Sequence, residues 1–251
     1  MKFYFLSLIL IFTVESNCLC QIKDTLYVHK NKAPKFYQTK VFKGVVPPVL
    51  LIGYSLTTMQ NNGLPSSYWI YKQAKTNFKI QRTHVDDYFQ FIPYFGLVAL
   101  KLSKVKSKND PVNTVLLVAK SFAVNNILLL TIKNLSNVTR PDSANPTELN
   151  SFPSGHTANV FTAATLIHKE FGKTHLLYSV GAYSVATSIG VFRILNNRHW
   201  FSDVIAGAGL GILSVNVVYL THRYKWGKNS EIVFVPTMYQ KVMGFYFAKQ
   251  F

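Results

Sequence analysis

The sequence predicts an all-α bundle of about six apolar helices, embedded in a membrane and followed by a small β-hairpin. Three observations carry that expectation. Apolar residues make up 49% and charged residues only 15% of the 251 positions, a balance more apolar than that of an ordinary soluble domain. Long apolar runs recur along the chain, exceeding the usual length of strands and lacking their strict alternation. Two of these runs, Leu176 to Phe192 and Val204 to Leu220, carry no formal charge. With their flanks, each approaches the roughly 20 residues that cross a bilayer.

Taken in order, the chain opens with Lys2, an apolar core from Phe3 to Val14, and the small residues Cys18 and Cys20. That is the layout of a secretory signal over residues 1–20, cleaved after Cys20. Both cysteines lie in this segment, so a mature chain starting at Gln21 would have neither a disulfide nor a cysteine metal site. Gln21 to Gly44 reads as a polar, basic arm. A helical domain over 45–225 then holds the runs Val45 to Met59, Tyr88 to Leu102, Val112 to Ile132, Thr157 to His168, Leu176 to Leu195 and Asp203 to Thr221. Pro47 and Pro48 suggest that the first of these is interfacial, leaving five spans. The run from Val112 contains Lys120, Asn125 and Asn126, and that from Thr157 is short, so burial among other helices is the alternative for both. The C-terminal extension, 226–251, is β-rich around Pro236 and Gly244 and reads as the hairpin.

Charge narrows the partners. With 27 Lys and Arg against 10 Asp and Glu, the net charge of +17 points to anions: nucleic acid, a membrane surface or a phosphorylated substrate. The bases are scattered between apolar runs rather than clustered with aromatics on one recognition element, which disfavours nucleic acid. Lys101, Lys104, Lys106 and Lys108, then Lys169 and Lys173, then Arg223, Lys225 and Lys228 mark three loops as cytoplasmic. The intervening connections then share the opposite, extracytoplasmic side.

Those outward connections carry the chemistry. In "NSFPSGHTAN", Pro153 sets the entry to a helix, Ser154 can cap it, Gly155 lets backbone approach a ligand, and His156 arrives where the helix starts. Exposed N–H groups and the positive end of the helix dipole favour a phosphate there, and an imidazole can protonate a leaving oxygen. Upstream, Lys133 and Arg140 are separated by six residues, and Pro141 follows. Downstream, Arg193 is followed after five residues by His199 and after three more by Asp203. If His199 and Asp203 share a helical turn, their i, i+4 spacing lets the carboxylate hold one ring nitrogen and leave the other as a nucleophile. Guanidinium and ammonium groups supply the charge that phosphoryl oxygens require. In isolation, each pattern also fits a capped helix or a surface ion pair. His84, Asp86 and Asp87 read as the start of a helix, with the acids capping it. With the two histidines so assigned, no carboxylate or histidine cluster at ligand spacing remains, so neither a metal nor another cofactor is expected.

Together, K-x6-R-P, P-S-G-H and R-x5-H-x3-D resemble the type 2 phosphatidic acid phosphatase superfamily, which includes bacterial acid phosphatases and vanadium haloperoxidases. The resemblance runs from Lys133 to about Gly211. It implies a helical fold and metal-independent hydrolysis of phosphate esters through a phosphohistidine. His199 would attack phosphorus, His156 would protonate the leaving group, Asp203 would orient His199, and Lys133, Arg140, Ser154, Gly155 and Arg193 would hold the phosphoryl oxygens. Phe192 stands where the family often has a serine. The stretch "HWFSDVIAGAGLGIL" is similar to the lipid-phosphatase branch, in which a glycine-rich helix packs in the membrane. Undecaprenyl diphosphate, phosphatidate-type lipids and lipid A phosphates are the substrates this implies. A soluble periplasmic acid phosphatase and a non-catalytic phospholipid-binding protein are the alternatives.

Overall fold

The computed structural model describes residues 35–78, 84–141, 150–224, 232–239 and 242–249. The expected signal and residues 21–34 lie outside them. Eight α-helices are found among the described residues: α1 (Lys40–Thr57), α2 (Ser67–Asn77), α3 (Val85–Phe89), α4 (Ile92–Leu102), α5 (Pro111–Leu135), α6 (Gly155–Phe171), α7 (Leu176–Leu195) and α8 (Phe201–Thr221). Strands β1 (Ile232–Tyr239) and β2 (Val242–Lys249) pair antiparallel, with Tyr239 opposite Val242. The six apolar runs correspond to α1 and α4 to α8, so the chain is the expected all-α bundle.

Three boundaries differ from the sequence reading. The helix α2 has no apolar run to announce it, since "SYWIYKQAKTN" is half polar; its start is fixed by Ser66, whose Oγ accepts from Trp69 N at 3.2 Å. The run Tyr88 to Leu102 is two helices, with Pro93 in the first turn of the second, where its missing N–H is not needed. The helix α1 starts at Lys40, inside the stretch read as an arm, because Thr39 Oγ1 accepts from Phe42 N at 3.1 Å. It continues through Pro47 and Pro48 and lies antiparallel along α8, with Gly44 beside Asn216 and Gly209 beside Pro48 and Ile52. It therefore belongs to the bundle and is not a separate interfacial helix.

Close approach explains why α8 is rich in small residues. A Cβ at Gly207 would lie 2.6 Å from Ser154 O, and one at Gly209 would lie 2.9 Å from Pro48 O. One at Gly211 would collide with Ala158 O. The Gly207 and Gly211 face thus packs on α6, and Gly209 admits α1. Around this contact, Val160, Ala164, Leu166 and Phe171 of α6 join Ala186 and Ile189 of α7 and Val215 of α8 in the buried core.

Among the described residues, the helices long and apolar enough to cross a membrane are α5, with a mean hydropathy of 1.9, and α8, with 1.8. The sequence reading favoured α7 over α5. Tyr178, Ser179, Tyr183 and Ser184 lower the hydropathy of α7, while α5 turns Val115, Phe122, Ile127 and Leu130 outward. On its inner side, Asn125 Nδ2 donates to Asn159 Oδ1 at 2.9 Å. The short α6 is the buried one.

From α4 to α8 successive helices alternate in direction, which separates two ends of the bundle. At one, the buried Glu170 of α6 accepts from Lys101 Nζ (3.3 Å), Thr114 Oγ1 (3.2 Å) and Tyr219 OH (2.5 Å), joining α4, α5, α6 and α8. The described bases of the three basic loops, from Lys101 to Lys108, at Lys169 and Lys173 and at Arg223, lie at this end. The other end holds the C-termini of α5 and α7 and the N-termini of α6 and α8.

Gly207→Ala is expected to lower the thermal unfolding midpoint in detergent, because the added methyl overpacks the α6–α8 contact at a cost of about 1–3 kcal/mol. Gly53→Ala, which meets nothing within 4 Å, should leave the midpoint unchanged or slightly raised.

Candidate active site

The three motifs meet at that second end, and local folding places each one. Ser154 is the N-cap of α6, with its Oγ accepting from Thr157 N, so His156 stands in the helix's first turn as expected. Arg193 lies in the last turn of α7. His199 precedes α8, whose N-cap is Trp200, and Asp203 sits in its first turn.

His199 and Asp203 therefore do not share a helical turn, yet they meet. Asp203 Oδ2 caps the helix by accepting from Trp200 N at 2.9 Å, which turns it back toward His199 Nδ1 at 3.3 Å. Ser151 donates its hydroxyl to the same oxygen at 2.5 Å. Both His199 and Asp203 are buried. A carboxylate on Nδ1 fixes that nitrogen as the protonated one and leaves Nε2 with the lone pair.

Backbone bonds fasten the motifs to one another. Ser154 N donates to Asp203 O (3.0 Å), Ser151 N to Val138 O (2.9 Å), and His199 N to Arg193 O (3.3 Å). Trp200 Nε1 donates to Thr139 O at 2.7 Å. Lys133 Nζ donates to Asn150 O at 2.6 Å and Arg140 Nε to Asn150 Oδ1 at 3.2 Å, so both cations of the first motif reach the residue that opens the second. A Cβ on Gly155 would lie 3.3 Å from Leu129 Cδ2, so the small residue there serves packing against α5.

Arg193 is 4% exposed and turns Nη1 to two carboxylates, Asp86 Oδ2 at 2.6 Å and Asp87 Oδ1 at 2.9 Å. Asp87 Oδ1 also lies 3.0 Å from His156 Nε2. Asp86 Oδ1 accepts from Asn196 Nδ2 at 2.9 Å. The pair Asp86–Asp87 is thus part of the site and not the cap of α3: no side-chain cap bond is made there, and the carboxylates reach across to α7 and α6. His84 stays on its own helix, with Nδ1 3.0 Å from Asp87 Oδ2. The clue was present in the sequence as the one adjacent acidic pair in a basic chain.

Residues 114–227 match the PAP2 superfamily, and they contain every one of the eight residues picked out from the three motifs. This segment is a PAP2 superfamily domain. Within it, a 74-residue stretch is 55% identical to the lipid A 1-phosphatase of Porphyromonas gingivalis, covering 30% of this chain and 16% of that protein. A 72-residue stretch is 43% identical to the bacitracin transport permease protein BcrC of Bacillus licheniformis, covering 29% of this chain and 34% of that protein. The chain thus spans only a minor part of the curated relatives it matches. Among solved structures, LpxE of Aquifex aeolicus is similar with a TM-score of 0.44 and 23% identity, over 62% of this chain and 94% of that one. The transmembrane PAP2-type phosphatidylglycerolphosphate phosphatase of Bacillus subtilis gives 0.45 and 20%, over 72% and 99%.

Electrostatics set the protonation of the PAP2 site. Burial pushes His199 down from 6.5 to about 4; the Asp203 hydrogen bond and charge resist, and Arg193 and Arg140 add to the depression. Burial raises Asp87, but His84, Arg193 and His156 outweigh it and hold its carboxyl below the ordinary value. A histidine that is protonated near 6.5 when unfolded but only near 4 when folded favours the unfolded chain as the pH drops. Stability is therefore full above about 6.5 and lost progressively toward about 4. Thermal midpoints measured across this window should fall with pH, and His199→Gln should flatten the fall.

Proposed function

We propose that the protein is a membrane phosphatase that removes phosphate from phosphorylated lipids through a phosphohistidine intermediate. The observation that carries this reading is the buried His199, held by Asp203 at Nδ1, at the same end of the bundle as Arg193 and His156, which share Asp87 Oδ1. His199 Nε2 attacks phosphorus, and the bond from phosphorus to the leaving oxygen breaks as His156 gives that oxygen its proton. His156 then takes a proton from water, whose oxygen attacks the phosphohistidine. Inorganic phosphate leaves and His199 is restored. Because His199 titrates only near 4, the nucleophile is neutral across the physiological range.

Arg193, Lys133 and Arg140 hold the equatorial oxygens, with the Ser154-capped N-terminus of α6 adding N–H groups. No step calls for a metal. A cavity of about 300 Å³ beside the site, lined by Met59, Tyr68, Val138, Thr139 and Trp200, gives a headgroup room. The outward apolar face of α5 and the local identity to a lipid A 1-phosphatase favour a lipid ester over a water-soluble one. The chemistry admits a lipid A-type phosphate, a phosphatidate-type monoester and a polyprenyl diphosphate.

Phosphate release from these three lipids by the protein in detergent, with chelator present, tests the reading. Wild type should turn over at least one. His199→Ala should abolish turnover, and His156→Ala should lower kcat by roughly 10²–10⁴-fold. Variants as active as wild type would refute the assignment.

The basic residues at the far end support a periplasmic face for the active site. Lys40 shares the basic end with Thr221, so this orientation keeps the start of α1 in the cytoplasm and is incompatible with cleavage after Cys20. A membrane-impermeant maleimide on intact cells should label Asn137→Cys and spare Lys173→Cys, in a chain with Cys18 and Cys20 replaced by serine. A mature chain beginning at Gln21 would overturn the orientation.

A further inference from the structure

We propose that Asp87 is a built-in occupant of the phosphoryl cradle: its carboxylate takes the Arg193 and His156 hydrogen bonds that a substrate oxygen needs, and must surrender them before substrate binds. The proposal rests on the phosphatase reading of this site. One oxygen, Asp87 Oδ1, bridges the guanidinium at 2.9 Å and His156 Nε2 at 3.0 Å. A phosphoryl oxygen between a cationic clamp and the acid that protonates the leaving group would make the same two contacts. Carboxylate and phosphoryl oxygen are both anionic acceptors, so they compete for one place.

Asp87 is not needed to neutralise Arg193. That role falls to Asp86, which is 1% exposed, lies 2.6 Å from the same Nη1, and is held by Asn196 on its other oxygen. A buried guanidinium requires such a partner, and Asp86 is enclosed with it. Asp87 is the second acid on one donor nitrogen. Its side chain is 37% exposed, and its other oxygen already contacts His84, whose ring is 71% exposed. It therefore has somewhere to go when displaced. Among the described residues Arg193 Nε is buried without a hydrogen-bond partner, so an incoming phosphoryl group finds a further donor once the Asp87 carboxylate moves aside.

The consequence is an affinity set below what the cations alone would give. Substrate, product phosphate and phosphate mimics all bind against the Asp87 carboxylate, and its return helps expel the product.

The test uses the full chain in detergent, with Asp87→Asn and Asp87→Ala beside wild type. Inhibition constants for inorganic phosphate and orthovanadate, and KM for the lipid substrate, should each fall by about tenfold in both variants, because a charged competitor has been removed. Unchanged or raised constants would overturn the proposal. A drop in kcat at constant KM with a shifted pH profile would also overturn it, since Asp87 would then act on His156 alone. Asp86→Asn, at the enclosed carboxylate, should lower the thermal midpoint further than Asp87→Asn does. If wild type releases no phosphate from any lipid, the phosphatase reading fails. Calorimetric titration of inorganic phosphate into wild type and Asp87→Asn would still show whether the carboxylate competes.

Discussion

The Asp203 first turn of α8 is the constraint on which the rest of the site depends. Its carboxylate is fully buried and must be hydrogen-bonded to remain so. One oxygen gathers Trp200 N, the Ser151 hydroxyl and His199 Nδ1, which joins the third motif to the second. Its backbone carbonyl takes Ser154 N, which sets the N-termini of α6 and α8 side by side. That pairing is possible only because Gly207, one turn later, has no Cβ to strike Ser154 O. A helix cap, a catalytic orientation and a helix–helix distance are thus three readings of the same few atoms. Removing the carboxylate would leave a buried hydroxyl and a buried imidazole N–H without their acceptor, a loss larger than one hydrogen bond.

The distribution of polarity across the bundle points the same way. Several buried hydroxyls are satisfied by the helices' own carbonyls, as with Thr162 on Ala158 O at 2.9 Å and Ser214 on Leu210 O at 2.8 Å. They add little side-chain bulk and let α6 and α8 approach closely. Large apolar side chains such as Leu130, Val115 and Leu177 face outward, where water would disfavour them. Small residues inside and large apolar residues outside suit helices that associate in lipid, where packing replaces the hydrophobic drive between them. The Glu170 hub and the Asp203 cap close the two ends, and the apolar middle needs no polar contact with solvent.

Much of this was legible in the sequence because it depends on spacing. Lys133, Arg140, His156, Arg193, His199 and Asp203 were separable from background only as a set, and the set converges. The legible feature sometimes had a different cause. The His199–Asp203 spacing was read as a shared helical turn, whereas a cap bends the chain to make the contact. Tertiary contacts left no such trace. The partner of Arg193 lies more than a hundred positions upstream, and "HVDDYF" fits a helix start so well that local reasoning stops there. The helix α2 was missed for a related reason: it is held by Ser66 and by Ser67, whose Oγ accepts from Ser202 N, not by an apolar run of its own. The preference for α7 over α5 as a span weighed Lys120, Asn125 and Asn126 against α5 but left the tyrosines and serines of α7 out of account.

Scarcity makes the acidic residues informative. The chain has ten of them against 27 bases, and five, Asp86, Asp87, Asp110, Glu170 and Asp203, fall among the described residues. Four have a structural reason on sight. Asp110 caps α5 through Asn113 N, Glu170 gathers four elements, Asp203 caps α8, and Asp86 neutralises a buried guanidinium. Asp87 lacks one: it is partly exposed, caps nothing, and duplicates a charge already balanced. A carboxylate placed there opposes the anion that the surrounding cations attract. A site selected only for tight phosphate binding would not retain it. A site that must also release phosphate after each turnover gains from an acceptor that closes over the same nitrogen atoms as the product departs.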